Sequence, residues 1–210
     1  KLYKGGIPSR FGGRASSVLD IYQKDGNSKD FHVNGGIGLI SSRILVEGPI
    51  VKDKGSFLIG GRASYAHLFL KLSDNKNSAY FYDLNTKLKY NLDKNNSLYL
   101  SGYFGRDVFD INQSFTNTYG NSTLNLRWNH LFSSKLFSNL SLIYSDYYYG
   151  LNLDFVGFNW NSGIKNYNLK YDFKYYLSDK IKLSYGANAI YYDFNPGTIE
   201  PSRADSGINF

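Results

Sequence analysis

The chain has 210 residues and a formal net charge of +7, with 20 tyrosines and 15 phenylalanines but neither cysteine nor methionine. The lack of cysteine excludes disulfides, thiolate nucleophiles and cysteine-based metal sites. No apolar run approaches the roughly 18 to 20 residues that a transmembrane helix needs, although membrane strands, apolar only at every second residue, escape that test. The basic residues are spread along the chain, so the charge does not indicate nucleic-acid binding.

The first part of the chain is rich in glycine and other small residues. Residues 5–27 read GGIPSRFGGRASSVLDIYQKDGN, and residues 31–49 read FHVNGGIGLISSRILVEGP. The first stretch predicts a glycine-rich turn followed by a strand over residues 18–22, and the second predicts a β-hairpin. Because no Gly-Lys-Ser/Thr sequence follows the glycines, we interpret them as positions of close backbone packing and not as a phosphate-binding loop.

From Lys54 onward, apolar and polar residues alternate over long segments. The clearest one covers residues 80–92, where the even positions carry Tyr, Leu or Thr and the odd positions carry mainly Asp, Asn and Lys. A helix would scatter this set, whereas a strand sorts it onto two faces. With the hairpin, we count about nine strands. The further predicted strands cover residues 57–65, 98–108, 124–128, 136–149, 167–177 and 181–194.

The predicted connections alternate in length. Polar breaks at residues 93–96, 133–135 and 178–180 are short, and those at 67–78, 110–120 and 150–163 are much longer. This alternation is typical of outer-membrane β-barrels, and aromatic residues near the strand ends fit a membrane interface. We therefore predict an all-β fold, part of an antiparallel transmembrane β-barrel. The alternative is a soluble β-sandwich, whose strands are usually shorter.

The amino-terminal motifs resemble a known family. Residues 10–13 (RFGG), the predicted strand over 18–22 and residues 24–26 (KDG) resemble the closing stretch of the plug domain in TonB-dependent outer-membrane transporters. Residues 47–49 (EGP) are similar to the exit of that family's first barrel hairpin. Arg14, Ser16 and Ser17, which precede Val18, resemble Bacteroidota members with an amino-terminal carboxypeptidase-regulatory-like domain more than the glycan-importing SusC branch. The rest of the chain resembles the family only in its strand pattern.

The resemblance implies a 22-stranded barrel occluded by a plug. Residues 1–28 would be the carboxy-terminal end of the plug domain, and residues 29–210 the amino-terminal part of the barrel. Since about nine strands would leave unpaired edges in lipid and the chain begins with Lys1, we expect the other strands, most of the plug and the TonB-binding segment to lie outside this chain.

The implied function is energy-coupled import of a scarce nutrient, such as a siderophore, vitamin, peptide or glycan, across the bacterial outer membrane. The implied partners are the TonB–ExbB–ExbD complex, reached through a segment outside this chain, and outer-membrane lipid, with a surface lipoprotein as a further candidate. No nucleic acid and no cofactor are expected. The alternative is a barrel with a different role, such as a passive porin, an adhesin or an accessory subunit of a secretion or barrel-assembly complex.

Arg10 is the leading candidate for a contact between plug and barrel. It matches the plug arginine that in family members pairs with barrel glutamates, and such a partly desolvated pair can hold a domain in place. Weaker candidates for the same contact are Arg14, Arg43, Glu47 and Arg62. Most other charges on the polar side of the strands are expected to line a wet channel wall.

Aromatic side chains near the predicted outer loops are candidates for ligand binding, because rings offer a large contact area at low entropy cost. An interfacial or packing role is an equally open alternative. The candidates are Tyr147, Tyr148, Tyr149, Phe158 and Trp160.

Residues suited to catalysis are few. The three histidines, His32, His67 and His130, lie on different segments without metal-ligand spacing, and no carboxylate stands at a fixed short offset from any of them. We therefore predict neither a metal site nor an enzymatic activity.

Overall fold

A nine-stranded antiparallel sheet dominates the computed structural model, which describes residues 1–13, 16–72 and 76–201. Two short strands, β1 (Leu2–Tyr3) and β2 (Val18–Leu19), form a separate antiparallel pair. One α-helix, α1 (Ala66–Lys71), and two 3₁₀ turns complete the described elements. The strands of the large sheet are β3 (His32–Ile37), β4 (Ser41–Val51), β5 (Gly55–Ser64), β6 (Ser78–Asn91), β7 (Asn96–Ile111), β8 (Phe115–Leu131), β9 (Leu136–Leu153), β10 (Phe158–Tyr176) and β11 (Lys182–Pro201).

The large sheet is a simple meander in which each strand pairs with the next one along the chain. The prediction of an all-β, antiparallel fold is confirmed. The sheet is open: β3 and β11 are its two edges, and barrel closure and the count of 22 strands therefore stay predictions.

The predicted length difference is wrong for two of the three long connections, whereas the break at residues 67–78 does lie in a long connection, between β5 and β6, that contains α1. Instead of a loop over residues 110–120, β7 runs to Ile111 and β8 begins at Phe115, because Asn112 and Gln113 adopt left-handed backbone angles and close a tight turn. Instead of a loop over 150–163, β9 runs to Leu153 and a 3₁₀ turn leads into β10. The Phe, Thr and Tyr residues after Ser114 favour pairing, which extends the strands.

One face of the sheet carries a continuous apolar surface. We use the word rung for residues that lie side by side across neighbouring strands, and we call three adjacent rungs of this face the apolar band. The central rung is Phe57, Leu88, Leu100, Leu126, Leu142 and Leu169. The flanking rungs are Ile59, Thr86, Gly102, Leu124, Tyr144 and Tyr167 on one side and Tyr90, Leu98, Trp128, Leu140 and Tyr171 on the other.

The apolar band is not covered by other parts of the described chain. The side chains of Leu126, Leu142 and Leu169 are 43%, 50% and 47% exposed. In the described residues, Leu58 is the one large apolar side chain that is buried, and it lies on the opposite, polar face. The sheet thus lacks an ordinary core on its apolar side. None of the described helices is long and apolar enough to cross a membrane.

Candidate functional site: the amino-terminal segment on the polar face

The described part of the amino-terminal segment, residues 1–13 and 16–31, lies against the polar face of the sheet through β5 and β6. Its closest approach is at Gly26, where an added Cβ would overlap the backbone carbonyl of Phe57. Glycine is required there because any side chain would push the two backbones apart. The Ser28 carbonyl also accepts a hydrogen bond from the Asp53 N–H, at 2.9 Å. Beneath the segment, Ser56 and Leu58 are almost fully buried.

Asp25 joins the segment to two lysines of β6. Its Oδ1 lies 2.7 Å from Lys87 Nζ and its Oδ2 lies 2.9 Å from Lys89 Nζ. Lys87, whose side chain is 9% exposed, also donates to the Gln23 carbonyl at 2.7 Å. Burial raises the pKa of Asp25, but the hydrogen bonds from Lys87 and Lys89 outweigh it, so the pKa lies below its ordinary value. The carboxylate therefore stays ionised at neutral pH.

Glu47 makes a second contact between segment and sheet. Its Oε1 lies 2.7 Å from Lys24 Nζ, and the Lys24 side chain is 59% exposed. This places one of the sequence candidates at the interface with the segment, next to the Asp25 contact. An ion pair exposed to this degree contributes little stability on its own.

Arg10 contacts the sheet through its backbone. Its guanidinium lies 3.3 Å from Asp20 Oδ2, within the segment, and donates to the Tyr3 hydroxyl. Its carbonyl accepts a hydrogen bond from Lys170 Nζ of β10 at 2.9 Å, and the same ammonium lies 5.6 Å from the Phe11 ring centre. The charge pairing of Arg10 thus lies within the segment, and Lys170 attaches that part of the segment to the sheet.

The remaining arginine candidates do not contact the segment in the described residues. Arg62 pairs with Asp83 on the neighbouring strand, with Nη2 2.6 Å from Oδ2. Arg43 is exposed on β4. Arg14 lies outside the described residues.

Sequence reasoning did not single out Asp25, Lys87 and Lys89 as contact residues. It placed the two lysines on a solvated channel wall, because alternation identifies their face but not what lies on it. The available signal was the Lys-Asp-Gly sequence at residues 24–26, which combines a carboxylate with a glycine that permits close approach.

The aromatic candidates divide between the two faces of the sheet. Tyr149 and Trp160 face each other on the polar side, with ring centres 5.6 Å apart. The Asn117 amide donates to the Tyr149 hydroxyl at 2.9 Å. Gly197, with a φ of 134°, gives the Trp160 indole room to lie over β11, because an added Cβ would overlap the ring. These contacts fix the positions of the Tyr149 and Trp160 rings relative to each other.

The other three aromatic candidates lie apart from that pair. Tyr148 is on the apolar side, opposite Gly163, and its ring centre lies 5.8 Å from the Arg106 guanidinium. Tyr147 shares the polar face with Tyr149 but is opposite Ile164. Phe158 begins β10, opposite Leu153.

A line of charged side chains borders the apolar band at the end of the sheet remote from the turn at residues 93–95. On β9 and β10 the first outward charges beyond the band are Asp146 and Lys165, which are opposite each other. On β11 the first charged residue beyond the band is Asp193, opposite Lys165. On β7 the corresponding residue is Arg106, opposite Tyr82. The change from apolar to charged thus occurs at a similar level on four strands.

Metal chemistry has no site in the described residues, where no group of three or more His, Asp or Glu side chains could hold an ion. His130 is in an aromatic row between Trp128 and Phe132, with ring-centre distances of 5.3 and 4.3 Å. His67 packs against Tyr80, and His32 is opposite Glu47.

No protein-family model, no curated protein and no solved structure matches the chain.

Proposed function

We propose that the chain forms part of the wall of an outer-membrane β-barrel, together with the end of its plug, in an energy-coupled importer of a scarce nutrient. The observation that carries the proposal is the asymmetry of the sheet. One face is an exposed apolar band, and the opposite face holds the amino-terminal segment through Asp25, Lys87 and Lys89.

The length of the apolar stretch on β10, which extends past the three rungs of the apolar band, supports a membrane location. On β10, outward-facing aromatic and apolar residues run from Tyr167 to Tyr175, comparable to the roughly 9 to 11 residues of a tilted membrane strand. Lys165, the residue on the same face just before Tyr167, is charged and marks the border of this apolar stretch. An apolar surface of this extent is rare on a monomer in water and is satisfied by lipid.

Closure of the barrel is the second part of the proposal. The edge strands β3 and β11 each pair on one side only, and β11 has 20 residues. Unpaired backbone groups are costly in lipid, so in the membrane both edges have to pair with further strands. The apolar band then faces outward, and the polar face lines the lumen.

The seated segment favours an importer over a passive porin. A porin needs an open lumen, whereas here Gly26 lies against the backbone of β5 and the Lys170 contact reaches across to β10. A peptide segment fixed inside the barrel obstructs passage, and its removal requires work. Energy passed by TonB would supply that work.

The test uses uptake into intact cells. Solutes are first identified by comparing growth, under nutrient limitation, of cells that produce the protein with cells that lack it. Uptake of the identified solute should stop when a protonophore dissipates the proton-motive force, while binding to the cell surface persists. Uptake that continues after dissipation would overturn the importer and favour a passive barrel.

A further inference from the structure

We propose that the polar face carries a binding site for an oxyanion group, a carboxylate or phosphate of a transported solute, centred on Arg127 and the ring of Tyr99. The site deepens the proposed function by naming the chemistry of the solute. It rests on that function only in requiring that solutes reach the polar face.

The site begins with three cations around one aromatic ring. The Arg127 guanidinium lies 4.3 Å from the centre of the Tyr99 ring, and Lys87 and Lys89 place their ammonium groups 5.9 and 5.7 Å from the same centre. Lys89, Tyr99 and Arg127 are adjacent members of one rung. The negative face of an aromatic ring tolerates such cations but does not neutralise three of them.

Lys87 and Lys89 share a carboxylate, and Arg127 has none. Asp25 pairs with both lysines, but within the described chain no carboxylate lies at ion-pair distance from Arg127. Its Nε is buried and makes no hydrogen bond. The neighbours of Arg127 on either side in the rung are Tyr99 and Ser141, which carry no charge at neutral pH.

An oxyanion would supply the counter-charge that Arg127 lacks. A guanidinium offers several N–H donors in a planar fork that matches a carboxylate or phosphate, and charge-assisted bonds of this kind are the strong ones. Because Arg127 Nε is buried, the donors offered to the oxyanion are the terminal N–H groups of the guanidinium. The Tyr99 ring holds the guanidinium in place.

Asp25 shows that this cluster accepts a carboxylate, because the segment already supplies one to the two lysines. The Asp25 carboxylate is bonded to Lys89, which lies on the other side of Tyr99 in the same rung, so its negative charge would repel a solute oxyanion held at Arg127. Binding of the solute and attachment of the segment would then oppose each other, and this coupling is reciprocal by thermodynamic linkage. Loss of the Asp25 charge should therefore strengthen anion binding.

The experiment is calorimetric titration of the purified protein in detergent with inorganic phosphate and, separately, with citrate. We expect saturable binding of at least one anion, and the two arms identify which oxyanion group is preferred. Arg127→Gln should weaken that binding at least tenfold, and Arg127→Lys, which keeps the charge but loses the fork, should weaken it less. Asp25→Asn should strengthen it severalfold.

The matched control is Lys174→Gln, since Lys174 is a cation of the same face on β10 outside the cluster. It should change affinity less than twofold. Equal losses for Arg127→Gln and Lys174→Gln would show general attraction to positive charge and overturn the site, as would no saturable binding to either the wild type or Asp25→Asn. Where Arg127→Gln does not fold, Arg127→Lys decides in its place. Because binding in detergent needs no proton-motive force, a failure here is distinct from a failure of the uptake test.

Discussion

Asp25 Oδ1 lies 2.7 Å from the Nζ of Lys87, a largely buried lysine that also donates to the Gln23 carbonyl of the same segment. The same contact that removes the ammonium from water also supplies its counter-charge. A covered lysine without that carboxylate would be unfavourable, so the position of the segment and the charge of the lysine depend on each other.

Asp25→Asn should loosen the segment without unfolding the sheet, because it removes the negative charge that Lys87 and Lys89 share. We expect backbone hydrogen exchange at residues 22–28 to accelerate about tenfold, equivalent to about 1.4 kcal/mol of local stability. The control is Asp30→Asn, since Asp30 has no ion pair in the described residues. Equal acceleration in both variants would contradict a specific role for Asp25.

Attachment of the segment should weaken only at acid pH. The folded protein holds the pKa of Asp25 below its ordinary value of 3.8, so the contribution of the contact is complete above that value and is lost as the pH falls through the folded pKa. Hydrogen exchange at residues 22–28, corrected for its intrinsic pH dependence, should thus be constant from pH 7 to about pH 5 and accelerate below pH 4. In Asp25→Asn the acid-dependent step should disappear; a step of unchanged size would assign it to another group.

Gly26→Ala should displace the segment from β5, because the new methyl group would overlap the Phe57 carbonyl. We expect limited proteolysis to cut the segment faster while the sheet stays intact. Gly5→Ala is the matched control, since a Cβ at Gly5 has no neighbour within 4 Å. Unchanged proteolysis of Gly26→Ala would contradict the close approach.

The two faces of the sheet should respond oppositely to added charge. Leu88→Lys and Leu169→Lys put an ammonium on the apolar band, at a cost of about 2 to 4 kcal/mol if that surface meets the middle of a bilayer. Asn85→Lys and Asn168→Lys put the same group on the polar face. The first pair should block insertion into outer membranes, measured by membrane fractionation, and the second pair should be tolerated. Equal tolerance of all four would overturn the membrane assignment.

Tyr149 and Tyr148 offer a test of ligand recognition by adjacent residues on opposite faces. In a Trp128→Phe background, Trp160 is the remaining tryptophan, and the transported solute should quench its fluorescence. Tyr149→Ala should weaken that binding about tenfold, or about 1.4 kcal/mol, because it removes the ring that packs on Trp160. Tyr148→Ala should leave it unchanged. A larger loss of affinity in Tyr148→Ala than in Tyr149→Ala would contradict recognition of the solute by the Tyr149–Trp160 pair.

The sequence predicts the strands well because the alternation of apolar and polar residues can be seen within each segment and corresponds directly to the two faces of a strand. The alternation over residues 80–92 predicts a strand, and β6 is Ser78–Asn91. The turn at Asn112 and Gln113 was missed because polar residues such as Asn and Thr occur in loops and also on the wet side of strands. The pairing of Asp25 with Lys87 was missed for another reason: it joins residues far apart in the chain, and alternation carries no information about such contacts.

The long strands also have a mechanical consequence. In β10 the apolar stretch begins at Tyr167, so the preceding residues from Phe158 to Asn166 extend roughly 30 Å of hydrogen-bonded strand beyond it, bonded to β9 on one side and β11 on the other. Trp160 and Tyr149 project from this hydrogen-bonded sheet and not from a loop. A ligand that meets them encounters a preformed surface, loses little free energy to ordering the protein, and can dissociate without waiting for a loop to open.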